Sequence, residues 1–250
     1  LVVESTYGDR LHPASDALAA LGDVINRTAA RGGAVVIPAF AVGRAQSLLH
    51  HIHLLKQQKI IHNLPVYLNS PMAASALHVY EKHPGELRLT PSECAALANV
   101  AEIVDTPEAS RTLNARRRPM VIIAASGMAT GGRVVHHIKA FAPHARNTIL
   151  FAGYQAGGTR GALMVGGATT VRMHGEEVPI RAEIAQLDNL SAHADAGEIV
   201  QWLRGFKAPP RQTFITHGEP AAADAMRQHI ERELGWKCHM PHYLEEVGLG

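Results

Sequence analysis

Two apolar rhythms alternate along this chain. Short runs of consecutive apolar residues at 34–37, 65–68, 120–124 and 148–152 alternate with segments whose apolar residues recur every three or four positions. Leu18, Leu21, Val24 and Thr28 form one such stripe within residues 16–31, closed by Gly32 and Gly33, and Val42, Ala45, Leu48, Ile52 and Leu55 form the next. A continuous apolar run reads as a strand buried on both faces, and a spaced stripe reads as a helix lying against it. The same logic predicts strands at 1–3 and 212–216. It predicts helices at about 73–82, 92–98, 133–141, 196–205 and 220–234, and a hairpin within 171–186 around His174, Gly175 and Glu176. Strand, helix, strand repeated in this way specifies an α/β fold with a mainly parallel sheet and helices on both faces.

Composition removes several classes. With 46% hydrophobic and 18% charged residues the chain can bury a core and is not a disordered tail. No apolar run approaches the roughly 20 residues of a membrane span. Two cysteines, Cys94 and Cys238, are too few for a disulfide framework, so a cytoplasmic location is expected. Net charge is only +2, and Arg116, Arg117 and Arg118 form the only tight basic run. That run reads first as a solvated loop ahead of a strand. Aromatics at 5% argue against a sheet that stacks bases as its main recognition surface.

In parallel sheets the functional loops lie beyond the carboxyl ends of the strands. Glu4 sits at such an end, where a carboxylate can orient a partner, bind a cation or cap the next segment. Ser126, Gly127, Gly131, Gly132 and Arg133 belong to a small glycine-rich loop that opens a helix, a setting that suits a phosphate or a plain tight turn. Its glycine spacing matches neither a Walker loop nor a dinucleotide fingerprint. A similar loop at 153–160 ends the next strand, and two such neighbours favour a polyanionic substrate.

Most of the 16 histidines carry no ligand pattern. His50, His51 and His53 lie on a helix, where positions two apart do not share a face. His136 and His137 are adjacent, so one points outward while the other flanks Val134 and Phe141. His193 and His217 differ. His193, between Ser191 and Asp195, precedes a helix for which Asp195 and Glu198 form a capping box. His217 ends an apolar strand ahead of Gly218 and Pro220, a position that suits a metal ligand or an acid.

Taken in order, residues 4–10, 38–44, 70–73, 126–133, 191–195 and 217–219 resemble the motifs of the β-CASP subgroup of the metallo-β-lactamase fold. The likeness is greatest to bacterial RNA-processing nucleases related to the mRNA 3′-end cleavage factor, and it spans nearly the whole chain. The resemblance implies a β-CASP domain inserted in a lactamase domain, with RNA entering between them and two zinc ions activating a water that attacks the phosphodiester. On that basis residues 1–8 are the end of a lactamase-domain strand, 9–188 the β-CASP domain, and 189–250 the C-terminal return of the αββα lactamase domain. His217 is then a zinc ligand and His193, held by Glu4, the proton donor. Ser191 and Asp195 support them, and the Ser126 to Arg133 loop holds RNA phosphates.

A carboxylate beside an imidazole favours the imidazolium, which makes it a usable acid near neutral pH. The family's histidine-rich ligand cluster lies upstream of the segment matched by Glu4 and has no counterpart here. The chain therefore reads as the back part of a larger metal-dependent hydrolase, endo- or 5′-exonucleolytic, and weak or inactive alone. RNA is the expected partner and a membrane is not; a homodimer is allowed by a sequence that fixes no oligomeric state. A non-catalytic RNA-binding scaffold of the same family is one rival reading. A phosphometabolite- or nucleotide-binding α/β domain is another, supported only by the glycine-rich loops.

Overall fold

The computed structural model describes residues 1–248. The chain divides into two compact units, one formed by Ser15–Leu190 and the other by Leu1–Ala14 with the chain from Ser191 onward. These breaks fall at 14/15 and 190/191, a few residues from the 8/9 and 188/189 divisions expected from sequence. Tyr7 bridges to Asp195, which keeps the chain beyond Glu4 in the discontinuous unit.

The discontinuous unit opens with β1 (Val2–Glu4). The continuous unit follows: α1 (Ala17–Ala30), β2 (Ala34–Pro38), α2 (Arg44–Gln57), β3 (Val66–Asn69), α3 (Pro71–Lys82), α4 (Pro91–Val100) and β4 (Glu102–Ile103). It continues with α5 (Pro107–Ala115), β5 (Met120–Ala124), α6 (Arg133–Phe141), β6 (Thr148–Ala152), α7 (Arg160–Val165), β7 (Thr170–Met173), β8 (Glu176–Pro179) and β9 (Glu183–Leu187). The chain then returns through α8 (Ala196–Leu203), β10 (Thr213–Thr216), α9 (Pro220–Leu234) and β11 (Cys238–His239).

In the continuous unit six strands form one parallel sheet in the order β4-β3-β5-β2-β6-β9. Side chains alternate across a strand, and that alternation divides the interior. Val35, Ile37, Leu68, Val121, Ile123 and Leu150 join Leu21, Ile25, Leu48, Ile52 and Leu97 in one core beneath α1 to α4. Val36, Tyr67, Ile122, Ile149 and Phe151 join Leu113, Val134, Ile138, Phe141 and Met164 in a second core beneath α5, α6 and α7. Helices thus cover both faces, which is why β2, β5 and β6 are apolar at nearly every position. Asp16 caps α1 by accepting from the Leu18 N–H at 2.8 Å. Gly33 has to be glycine, because a Cβ there would lie 1.8 Å from the Arg146 carbonyl oxygen.

Three departures from the sequence reading have local causes. The stretch 178–186 is not one hairpin strand. β8 pairs antiparallel with β7 across the two-residue turn at His174 and Gly175, whereas β9 joins the parallel sheet beside β6. Both turn residues have positive φ, as this tight turn requires. The region 83–107, where the sequence pattern marks only the helix at 92–98, also holds β4 and the start of α5, whose first turn carries Pro107 and whose cap is Thr106. The six-residue α7, capped by Thr159, was too short to show a period.

In the discontinuous unit β1 and β11 flank β10, all parallel. Val3, Ile199, Val200, Leu203, Ile215, Met226, Ile230 and Trp236 form its core with α8 and α9. No helix among the described residues is long and apolar enough to cross a membrane.

Candidate metal and acid–base centre

In the discontinuous unit β1 and β10 run parallel with Glu4 opposite Thr216, so the chain leaves both strands at the same edge. Two tight approaches hold that edge together. The fully buried Ser5 donates its hydroxyl to the Thr216 carbonyl at 2.8 Å. Gly218 packs so closely that a Cβ would meet the Ser5 Oγ at 2.4 Å and the Ser5 carbonyl oxygen at 2.6 Å. Between them His217 adopts a left-handed backbone with φ of 52°, a conformation that costs a non-glycine residue free energy and clusters at functional sites.

Thr6, two residues past Glu4, links the parts of the arrangement. Its hydroxyl donates to the His217 carbonyl at 3.1 Å, so its lone pairs face the Nδ1 atoms of His217 at 3.1 Å and His193 at 3.4 Å. Its backbone N–H donates to Glu4 Oε2 at 3.2 Å. Glu4 in turn receives His193 Nδ1 at 2.9 and 3.0 Å from its two oxygens, and His217 Nδ1 lies 3.8 Å from Oε2. Burial pushes the Glu4 carboxyl upward, but the hydrogen bonds from Thr6 and His193 outweigh it and hold the carboxyl below its ordinary value.

The turn carrying His193 is held at both ends. Ser191 Oγ accepts the His193 N–H at 3.1 Å. Asp195 caps α8 through the expected capping box, accepting from the Glu198 N–H at 2.9 Å while Glu198 accepts from the Asp195 N–H at 2.9 Å. The second Asp195 oxygen accepts the His12 N–H at 2.8 Å, and the His12 ring donates from Nε2 to the His193 carbonyl at 2.8 Å. Burial raises the Asp195 carboxyl, and the backbone hydrogen bonds from Glu198 and His12 more than offset it. Thr6 and His12 are thus parts of the site that the sequence reading passed over. A threonine two residues past a strand end and a histidine beside a proline carry no spacing signal.

Glu4, His193 and His217 each offer one ligand atom, and these atoms lie within 4.8 Å of one another. One carboxylate and two imidazoles make a zinc-type donor set. They form the only such group of three or more among the described residues. Two ions need more donors than this cluster contains, and with its Nδ1 atoms turned to Glu4 and Thr6 the cluster does not make a closed site for one ion either. The His193 and His217 rings lie 5.3 Å apart, tilted by 31°. Both turn Nδ1 toward Glu4 and Thr6, which leaves each Nε2 facing away from that anchor.

The expected phosphate loop lies in the continuous unit, at the carboxyl end of β5. Gly131 and Gly132 are exposed there, and Ser126 Oγ accepts from the Gly131 N–H at 3.4 Å. Gly127 is buried instead, with room for no more than hydrogen because a Cβ would meet the Phe40 ring at 2.8 Å. Arg133 is turned to the strands: it donates to Asn69 Oδ1 at 2.7 Å, to the Val104 carbonyl at 2.8 Å and to the Asp105 carbonyl. It clamps β3, the turn after β4 and α6. The neighbouring glycine-rich loop does touch this one. Arg160 donates to the Thr130 carbonyl at 2.8 Å, and Gln155 donates to the Gly127 carbonyl at 3.2 Å.

Comparison with known proteins agrees with this architecture. Residues 45–164 match the Beta-Casp domain, and residues 177–241 match the Zn-dependent metallo-hydrolase RNA specificity domain. Ribonuclease TTHA0252 of Thermus thermophilus is 38% identical over 233 residues, covering 88% of this chain and 51% of the relative. Transcription termination factor FttA of Pyrococcus abyssi is 32% identical over 263 residues, covering 100% of this chain and 40% of the relative, and the FttA of Methanosarcina mazei is 32% identical over 264 residues. The chain therefore spans about half the length, or less, of the curated relatives it matches. With both domain matches in chain order and these identities over most of its residues, the chain belongs to the β-CASP metallo-hydrolase family.

Proposed function

We propose that this chain carries part of the machinery of a zinc-dependent ribonuclease that hydrolyses RNA phosphodiester bonds. The observation that carries the reading is the convergence of Glu4, His193 and His217 from segments nearly 200 positions apart. The family membership and the printed names of the relatives support it: one is a ribonuclease, the others are transcription termination factors. In this reading Ser15–Leu190 is the β-CASP domain, and the other unit is part of a lactamase-type domain. Cys94 and Cys238 are both free, in keeping with a cytoplasmic protein.

The hydrogen bonds support a division of roles. Glu4 accepts from His193 Nδ1 and so fixes the ring's direction, which presents Nε2 to a departing oxygen. Thr6 fixes His217 from the Nδ1 side in the same way, leaving Nε2 as the ligand atom. Zinc, when bound, supplies an acidified water and charge stabilisation on the phosphate. Ser191 and Asp195 hold the His193 turn, and the exposed Gly131 and Gly132 offer backbone to phosphate oxygens. The donor set here is short of what two ions require, so the 250-residue chain alone is expected to bind zinc weakly and to turn over little. Elemental analysis of the purified chain tests this. Well under one zinc per chain after dialysis is the expected result, and two tightly held ions would overturn it.

A further inference from the structure

We infer that a hollow at the amino-terminal ends of β2, β5 and β6 is a phosphate-backbone contact surface for single-stranded RNA. It is distinct from the glycine-rich loops at the carboxyl ends of the same sheet. Arg116, Arg117, Arg118, His144 and Arg146 line it together with Gly32. The three consecutive arginines are only a solvated loop when read along the chain; the fold brings Arg146 to them across the sheet edge.

What marks the hollow is its uncompensated charge. Arg116 lies over the Tyr67 ring, 5.0 Å from its centroid, and donates to the Tyr67 hydroxyl, which Arg118 also reaches at 3.2 Å. Arg117 donates to the carbonyls of Asn114 and Arg116 at 2.8 and 3.2 Å. These partners are all neutral. Among the described residues none of Arg116, Arg117, Arg118 and Arg146 pairs with a carboxylate. Arg27 and Arg31 nearby by contrast pair with Glu183 at 2.6 and 2.7 Å, and Arg27 also with Asp23. Four guanidiniums on one small surface repel one another and favour an anion that can contact several of them, and the planar fork suits phosphate oxygens. The hollow is shallow and opens to solvent, and an extended polyanion can lie across it. RNA is the polyanion the proposed function supplies, and the inference rests on that reading.

The test is binding of a fluorescent single-stranded RNA of about 30 nucleotides to this chain, by anisotropy, across a salt series. The combined variant Arg117→Gln, Arg118→Gln, Arg146→Gln leaves Arg116 on Tyr67. At about 0.7 in salt slope per phosphate contact on single strands, losing three contacts lowers the slope by about 2. At 0.1 M salt that is a loss on the order of 100-fold in affinity. The corresponding lysine variant should retain most of both. Should the triple variant melt early, Arg117→Glu, at an exposed side chain, carries the same comparison. Wild-type binding with an unchanged slope in the glutamine variant would overturn the inference and leave the RNA reading intact. So would competition by polyglutamate equal to that by RNA, or no RNA binding at all by the chain. The hydrolase reading is judged separately, on zinc-dependent cleavage by the full-length protein.

Discussion

Acid should destabilise the parallel-sheet unit through one buried histidine. His137 on α6 is fully buried, and its ring is locked by a chain of obligatory partners. Arg133 can only donate, so Asn69 presents Oδ1 to it at 2.7 Å. Asn69 Nδ2 therefore faces Ser110 Oγ at 2.7 Å and His137 Nε2 at 2.6 Å, which makes Nε2 an acceptor. The proton must then sit on Nδ1, which donates to Asn114 Oδ1 at 2.6 Å. A second proton on Nε2 would point at the Asn69 amide hydrogens, and flipping Asn69 would turn its amide against Arg133. Burial, followed by the charges of His136 and Arg133, pushes the imidazole from its ordinary 6.5 down to about 4.

The sign follows directly. Between pH 6.5 and about 4 the unfolded chain holds the extra proton and the folded chain does not, so stability falls as pH falls through that window and is complete above it. At about 1.4 kcal/mol per pH unit, the window amounts to roughly 3 kcal/mol. Urea unfolding followed by far-UV circular dichroism at pH 7.5, 6, 5 and 4.5 measures it, with His137→Gln as the reference that cannot titrate. The variant should start lower, by about 1–3 kcal/mol for the disrupted hydrogen bonds, and then show a flatter pH profile than the parent. Parallel profiles would refute the reasoning, because they would mean that His137 takes its proton without disturbing its partners.

Two further outcomes follow from the packing and charge pattern. Gly218→Ala places a methyl group 2.4 Å from Ser5 Oγ and 2.6 Å from the Ser5 carbonyl oxygen; it should lower the melting temperature of this chain by several degrees and weaken zinc uptake by the full-length protein, checked by thermal melts of the one and metal analysis of the other. Glu183→Gln should cost about 1 kcal/mol at neutral pH by releasing Arg27 and Arg31. Hydrogen bonds from Arg27 above all hold the Glu183 carboxyl below its ordinary value. Its contribution is therefore present above pH about 4.3 and lost as pH falls through the lower folded value, and urea titrations of the variant against the parent check both points.

The parts of this fold that were legible in the sequence are those buried on both sides. Residues 34–37 and 120–124 announce themselves because every position is apolar, and α1 does because Leu21, Val24, Ile25 and Thr28 share its inner face. The helix α5 was not legible, because it buries only Ser110 and Leu113 and its remaining face is polar. The split of β8 from β9 was hidden for a related reason: both halves of 176–187 have mixed burial, so no break in pattern separates hairpin from sheet.

Legibility of the site followed chemistry. Glu4, His193 and His217 stand out as titratable residues at strand ends or ahead of a capped helix. Thr6 and His12 act through a hydroxyl and a ring hydrogen bond to a carbonyl 181 residues away, and no local pattern encodes such a contact. Arg133 shows the converse. Its place at a glycine-rich helix start suggested a phosphate ligand, yet two neutral carbonyls and Asn69 take its hydrogen bonds.

On the proposed reading His217 and His193, though 5.3 Å apart and anchored by the same Glu4 and Thr6, do different work. The most direct measurement is zinc content and RNA turnover side by side for His217→Ala and His193→Ala in the full-length protein. His217→Ala should lose zinc and turnover together, and His193→Ala should keep its zinc while losing turnover. Equal loss of zinc in both variants, or full turnover in His193→Ala, would contradict it.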